Sequence, residues 1–208
     1  MIAIIDYGVG NLFSLSSSLR FLGLESLVTS DPFDLSRASH IILPGVGAFG
    51  DAMRRLHASG LAAPLLKAAE GGKPLLGICL GMQMLFTRSY EYGEHAGLGL
   101  ISGEVCPLAP DLSQPLKIPH IGWNRLQILR KDPIFSRCGS APYVYYVHSF
   151  YAKGCADCTL AVSDYSLPVT GLVRRDNVYG AQFHPEKSGA EGLAILKSFC
   201  STQPSSGG

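Results

Sequence analysis

Three short apolar runs in the first third of the chain leave it few ways to fold: IAIID at residues 2–6, HIILP at 40–44 and PLLGI at 74–78. Each leads into a glycine-containing turn, as a strand does when it ends at the edge of a sheet. Between the runs, Leu12–Leu22 and Gly50–Ala69 read as helices, with Leu12, Leu15, Leu19 and Leu22 recurring at helical spacing. Strand and helix in alternation predict an α/β fold, a central, mostly parallel sheet flanked by helices.

The texture changes after residue 95. GLGLISGEV, IGWNRLQIL, YVYYVHSFYA, CTLAVSDY and VTGLVRRDNVYGAQFH look like additional antiparallel strands in the C-terminal half. Asp176 and Asn177 stand between two strand-like runs and suit a tight hairpin turn, because both residue types tolerate left-handed conformations. The last hairpin strand would deliver His184. A helix follows over about Ala190–Cys200, and then STQPSSGG, too small and polar to bury the surface that order requires. The expected organisation is one domain over residues 1–200 with a disordered tail at 201–208.

Composition excludes several classes of function. Lys and Arg number 17 against 16 for Asp and Glu, so no excess charge draws the chain to nucleic acid or to an anionic membrane. The opening MIAIID lacks the basic flank and cleavage site of a secretory signal, and no apolar stretch approaches the ~20 residues of a bilayer-crossing helix. A cytoplasmic protein with free thiols is expected. Cys155 and Cys158 form a CADC pair, but no second such pair or HxxxH completes a zinc site, and no metal is expected.

Chemistry concentrates at three places. In GICLGMQ, Cys79 ends an apolar strand and opens a helical pattern, with Gly77 and Gly81 two residues to either side. A sharp strand-to-helix turn needs small neighbours there, since the backbones approach closely and the nucleophile is pushed out. The helix N-terminus behind it favours a thiolate over a thiol. Taken alone, GxCxG describes an inert cysteine packed between glycines more readily than a nucleophile. In QFHPEKS, residues 182–188, extended backbone would place Glu186 on the side of His184, which makes a general base and its orienter. His184 would take the thiol proton and give one to a leaving amine. PGVG, Pro44–Gly47, follows the second strand and is a candidate oxyanion loop, with donors from the amide of Leu80 and from Val46 or Gly47. Gln83, four residues after Cys79, can face the same pocket. DYGVGN, Asp6–Asn11, has Phe13 where a dinucleotide fingerprint needs its third glycine, so it is read as a turn that brings Asn11 to the carboxyl end of the sheet.

With GxCxGxQ and a late HPE, the chain resembles the class I, triad-type glutamine amidotransferases over nearly its whole length. Within that class, PGVGAFGDAM, GICLGMQMLF, KIPHIGWN, YYVHSFY and QFHPEKSG are similar to the glutaminase subunits of imidazole glycerol phosphate synthase, of histidine biosynthesis. Anthranilate synthase subunits commonly carry His in place of Met82, and pyridoxal phosphate synthase glutaminases carry GGES in place of PGVG. The resemblance implies a Cys79–His184–Glu186 triad that releases ammonia from glutamine without a cofactor. It implies that Gln83 and the backbone around His148, Ser149 and Phe150 hold the substrate, with Gly47 near its carbonyl. It further implies a heterodimer with a cyclase subunit, a (β/α)8 barrel that receives ammonia through a tunnel. Asn11, Trp123, Tyr145 and Lys187 match interface positions. A hydrolase of other γ-glutamyl amides acting without a partner and a degenerate binding module are the alternatives.

Overall fold

The structure, a computed structural model, describes residues 1–203. In chain order it contains β1 (Ile2–Ile5), α1 (Leu12–Phe21), β2 (Ser26–Thr29), α2 (Pro32–Arg37), β3 (His40–Leu43), α3 (Phe49–Ala58), α4 (Ala62–Glu70), β4 (Leu75–Ile78) and α5 (Leu80–Met84). There follow β5 (Phe86–Ser89), β6 (His95–Ala96), β7 (Ile101–Pro107), β8 (His120–Arg125), β9 (Gln127–Ile128), β10 (Tyr143–His148) and β11 (Phe150–Lys153). The chain ends with β12 (Thr159–Asp164), β13 (Pro168–Arg175), β14 (Val178–Ala181) and α6 (Gly189–Phe199).

The main sheet has eight strands in the order β2-β1-β3-β4-β14-β13-β12-β9. Its first five are parallel; the β14–β13, β13–β12 and β12–β9 pairs are antiparallel. Because successive strand residues face opposite sides, the sheet divides the core in two. Ile5, Ile41, Leu43 and Leu75 point into a layer with α3, α4 and α5, while Ile2, Ile4, Ile42, Leu76 and Ile78 point into one with α1 and α6. The inner strands β1 and β4 are buried at every position, which is why they carry no polar side chain, whereas the edge strand β2 is partly exposed and has Ser26 and Thr29 at its ends. A four-stranded sheet (β11-β7-β5-β6) and a β8–β10 ribbon lie beside the main one.

The local differences from the sequence reading have identifiable causes. The helix expected over 50–69 is two helices: α3 closes through Gly60, whose φ is +76° and whose amide donates to His57 O, and α4 restarts with Pro64 in its first turn. The helix expected from LGMQMLF stops at Met84, because Phe86 pairs with Ile101 in the second sheet. That pairing is parallel, so the β-rich half is not wholly antiparallel. At the hairpin only Asp176 takes positive φ, +53°. Asn177 is buried instead, and its amide donates to Ala69 O and Lys73 O, both at 2.8 Å. Past α6, the amides of Ser201 and Thr202 bond back to the helix end; residues 204–208 of the expected tail lie outside the described residues.

Asn177 thus bolts the hairpin to the end of α4. Asn177→Ala removes both bonds, leaving Ala69 O with the Gly72 amide alone and Lys73 O without this donor, and is expected to destabilise the fold by about 2 kcal/mol. A urea midpoint equal to that of the parent would contradict this.

Candidate active site

The β4–α5 turn is shaped by what its glycines lack. A Cβ on Gly81 would sit 1.9 Å from Leu43 O, and one on Gly77 would sit 2.6 Å from Gly81 O. Without them, α5 starts directly on the carboxyl ends of β3 and β4. Cys79 between them has φ 54° and ψ −110°, a conformation that L residues hold only when the surroundings enforce it. Here its amide still donates to Ala181 O at 2.7 Å, and its carbonyl accepts from the Gln83 amide at 3.1 Å.

PGVG lies against this turn. A Cβ on Gly45 would come within 2.7 Å of the Gly81 amide nitrogen, and Gly47 has φ +95°. The Tyr7 hydroxyl donates to Pro44 O at 2.8 Å and so pins the loop. Burial, with Cys79 adding to it, raises the Tyr7 pKa far above its ordinary value, so this donor does not ionise.

His184 arrives from the other side. Its backbone amide donates to Tyr145 O at 2.9 Å, and its carbonyl accepts from the Ser188 hydroxyl at 2.6 Å. Its Nδ1 lies 2.8 Å from Glu186 Oε1, with both side chains about 3 % exposed. The pair does not form along an extended strand: Pro185–Lys187 is a 3-10 turn, which curls the carboxylate back to the ring. With Nδ1 donating to Glu186, the buried Nε2 is the free end and has no hydrogen-bond partner among the described residues. Burial opposes a charge on this ring, but the Cys79 side chain and Glu186 both favour it and raise the pKa to about 9.

A cavity of about 350 Å³ opens over these residues. Val46, Gly47, Leu80, Gln83, His148, Ser149 and Phe150 line it together with Cys79 and His184. Both ring nitrogens of His148 are engaged, Nδ1 with Phe150 O and Nε2 with His120, so neither is free for a substrate. Both Nε2 hydrogens of Gln83 are committed, to Phe150 O and Gln182 Oε1, each at 3.0 Å, which leaves Oε1 as the atom it can offer. Glu91 and Tyr92 also line the cavity and escaped the sequence reading. Glu91 caps the start of α3, its Oε2 accepting from the Phe49 amide at 2.7 Å, and burial raises its pKa against that bond.

Trp123, Tyr145 and Lys187 form one group at the surface. The Trp123 and Tyr145 rings are 6.1 Å apart, and Lys187 Nζ lies 5.8 Å from the centre of the Tyr145 ring. Trp123 is 55 % exposed, an unusual setting for a lone tryptophan. Asn11 caps α1 and shares a small cavity with His184 and Glu186. Cys155 and Cys158 are not among the residues that line this cavity: Cys158 Sγ donates to Cys155 O at 3.2 Å, closing a 3-10 turn. No group of three or more possible metal-ligating side chains occurs among the described residues.

A family profile, glutamine amidotransferase class-I, matches residues 3–202. The chain belongs to the class I glutamine amidotransferases. Within the family, it is 49 % identical over 199 residues to the imidazole glycerol phosphate synthase subunit HisH of Listeria monocytogenes, covering 96 % of this chain and 94 % of the relative. HisH of Lacticaseibacillus casei is 50 % identical with the same coverage, and that of Bacillus cereus 49 % over 96 % and 93 %. A crystal structure of a glutamine amidotransferase shares the fold, with TM-score 0.75 at 20 % identity over 96 % of this chain and 97 % of that one. PurLQS from Thermotoga maritima contains a chain matching with TM-score 0.73 at 22 % identity, 96 % of each chain being covered.

Since the folded His184 value lies above the ordinary 6.5, its pairing adds stability that is full below about pH 6.5 and is lost as pH rises through about 9. Ring-proton NMR should place the His184 titration near 9 in the parent and lower in Glu186→Gln. Ordinary titration near 6.5 in both proteins would contradict the assigned cause.

Proposed function

We propose that this chain is the glutaminase subunit of an imidazole glycerol phosphate synthase, which hydrolyses glutamine to glutamate and ammonia and hands the ammonia to a cyclase subunit in histidine biosynthesis. The observation that carries the chemistry is a cysteine held at positive φ beside a histidine whose buried Nε2 has no hydrogen-bond partner among the described residues and whose Nδ1 is tied to a carboxylate. Identity of about half the residues to HisH subunits over 96 % of the chain supports the choice of synthase.

In this reading the Cys79 thiolate attacks the side-chain carbonyl carbon of glutamine. The oxyanion is met by the Leu80 amide and by an amide of the Val46–Gly47 loop, and loss of one such donor costs about 3 kcal/mol. His184, charged at neutral pH, protonates the departing ammonia, leaving a thioester on Cys79. Neutral His184 then takes a proton from the water that attacks the thioester, and glutamate leaves. Glu186 holds the ring in the tautomer that puts Nε2 toward the sulfur. Glu91 supplies a carboxylate for the substrate ammonium group, and the Ser149 hydroxyl and Gln83 Oε1 complete its polar contacts.

The ammonia needs a dry route, because water would protonate and dilute it. A (β/α)8 cyclase docked over Trp123, Tyr145, Lys187 and Asn11 would close the site on that side. The protein is then a cytoplasmic heterodimer; among the described residues no helix is long and apolar enough to cross a membrane.

Cys79→Ala is expected to abolish glutamine hydrolysis while the complex still makes imidazole glycerol phosphate from free ammonia. Parent protein alone should hydrolyse glutamine slowly and be strongly stimulated by the cyclase with its nucleotide ligand. Equally fast turnover without a partner would favour a stand-alone amidase and sink the proposal.

A further inference from the structure

A run of hydrogen bonds, each oriented by its neighbour, leads from the β8–β10 ribbon to the Cys79 sulfur. It begins at Asn124, whose Oδ1 accepts from the Arg125 amide at 2.7 Å and whose Nδ2 donates to Asp164 O at 2.8 Å. The same Nδ2 lies 3.3 Å from His120 Nε2. His120 Nδ1 is 2.9 Å from His148 Nε2, and His148 Nδ1 is 2.9 Å from Phe150 O. A carbonyl only accepts, so His148 carries its proton on Nδ1 and offers Nε2 as an acceptor. His120 must therefore donate from Nδ1 and accept at Nε2, the end that Asn124 reaches. The scheme needs one proton per ring, and burial keeps both neutral, lowering His120 to about 4 and His148 to about 3. Tyr146 and Tyr165 stack on His120 with ring centres 4.8 and 4.0 Å away, so the ring has no freedom to turn.

The Phe150 carbonyl has a second donor in Gln83 Nε2 at 3.0 Å. That contact settles which end of Gln83 is nitrogen, and its other hydrogen goes to Gln182 Oε1, also at 3.0 Å. Gln182 is thereby forced to turn its own Nε2 toward Cys79 Sγ, 3.9 Å away. The Val147 carbonyl lies 3.9 Å from the same sulfur and accepts from the thiol. A side-chain N–H donates to sulfur instead, and it bonds more strongly to a charged acceptor.

The geometry points to Gln182 as a donor to the Cys79 thiolate, held in that orientation by Gln83 and by the Asn124–His120–His148 run that anchors the Phe150 carbonyl. Gln182 touches the reacting atom; His120 and Asn124 are positioning residues that act through the wall of the substrate cavity. The inference deepens the glutaminase reading and rests on it for what the thiolate does.

Gln182→Met keeps the length of the side chain and removes the amide. Alkylation of Cys79 by iodoacetamide, followed by peptide mapping to separate it from the other cysteines, should slow about tenfold at neutral pH. The kcat for glutamine should fall by a similar factor with KM little changed, while ammonia-dependent synthesis by the complex stays at the parent rate. Should Gln182→Met not accumulate in soluble form, Gln182→Glu, of the same shape and opposite polarity, should show the same slowing. His120→Phe is expected to raise KM for glutamine several-fold, and His120→Asn, whose Nδ2 stands where the ring Nδ1 was, to restore it. Alkylation of the Gln182 variant at the parent rate overturns the donor role, and His120→Asn no better than His120→Phe overturns the anchoring. Alkylation needs neither glutamine nor partner, so a parent complex inert toward glutamine sinks the glutaminase reading separately.

Discussion

The site depends on one backbone contact, the seat of α5 on the end of β3. Gly81 rests so close to Leu43 O that any side chain on it would overlap the carbonyl. This approach aims the first amides of α5 at the PGVG loop and forces the chain into its cramped turn at Cys79. Positive φ on a non-glycine residue costs about 1–3 kcal/mol. The sheet holds it there, because the Cys79 amide is the last bond in the β4–β14 register and cannot turn away without breaking it. The strain at Cys79 and its placement at the cavity have the same origin.

Around that turn, three buried histidines show how little burial alone decides. Desolvation pushes each toward the neutral form. His120 and His148 obey, since their ring nitrogens meet only carbonyl, amide and imidazole groups. His184 does not, because the Cys79 side chain and a carboxylate both favour its charge. The charge on His184 also lowers His148 further, so the cation stays on one ring and the neutral run behind it keeps its single direction. A second positive ring would break that run, since a doubly protonated imidazole has no acceptor.

Much of this was legible in the chain because it follows from local rules. The three apolar runs are parallel strands, and GICLGMQ is a strand–turn–helix. Gly60 and Pro64 were visible as a break in the helix read over 50–69, but the apolar periodicity runs on across them and hides it. The end of α5 was not visible, since Leu85 and Phe86 fit a helix as well as a strand and only pairing with β7 decides. Glu91 and Tyr92 reach the cavity through that second sheet, a non-local arrangement that no spacing reports. Gln182 lies just past the end of β14, in a bend before the 3-10 turn, so strand periodicity does not assign its side chain to the sulfur either.

The surface group and the buried one are tied through the backbone. The Tyr145 carbonyl accepts from the His184 amide, and the Tyr145 amide donates at 2.9 Å to the Ser188 hydroxyl, which donates in turn to the His184 carbonyl. Tyr145 and Ser188 therefore grip the His184 peptide groups from both sides. Outward from the same strand, Tyr145 carries its ring against Trp123, whose indole also lies close to Gly189. The exposed indole and the imidazole at the cavity are therefore joined through one strand, β10, which also carries Val147 and His148 of the cavity wall.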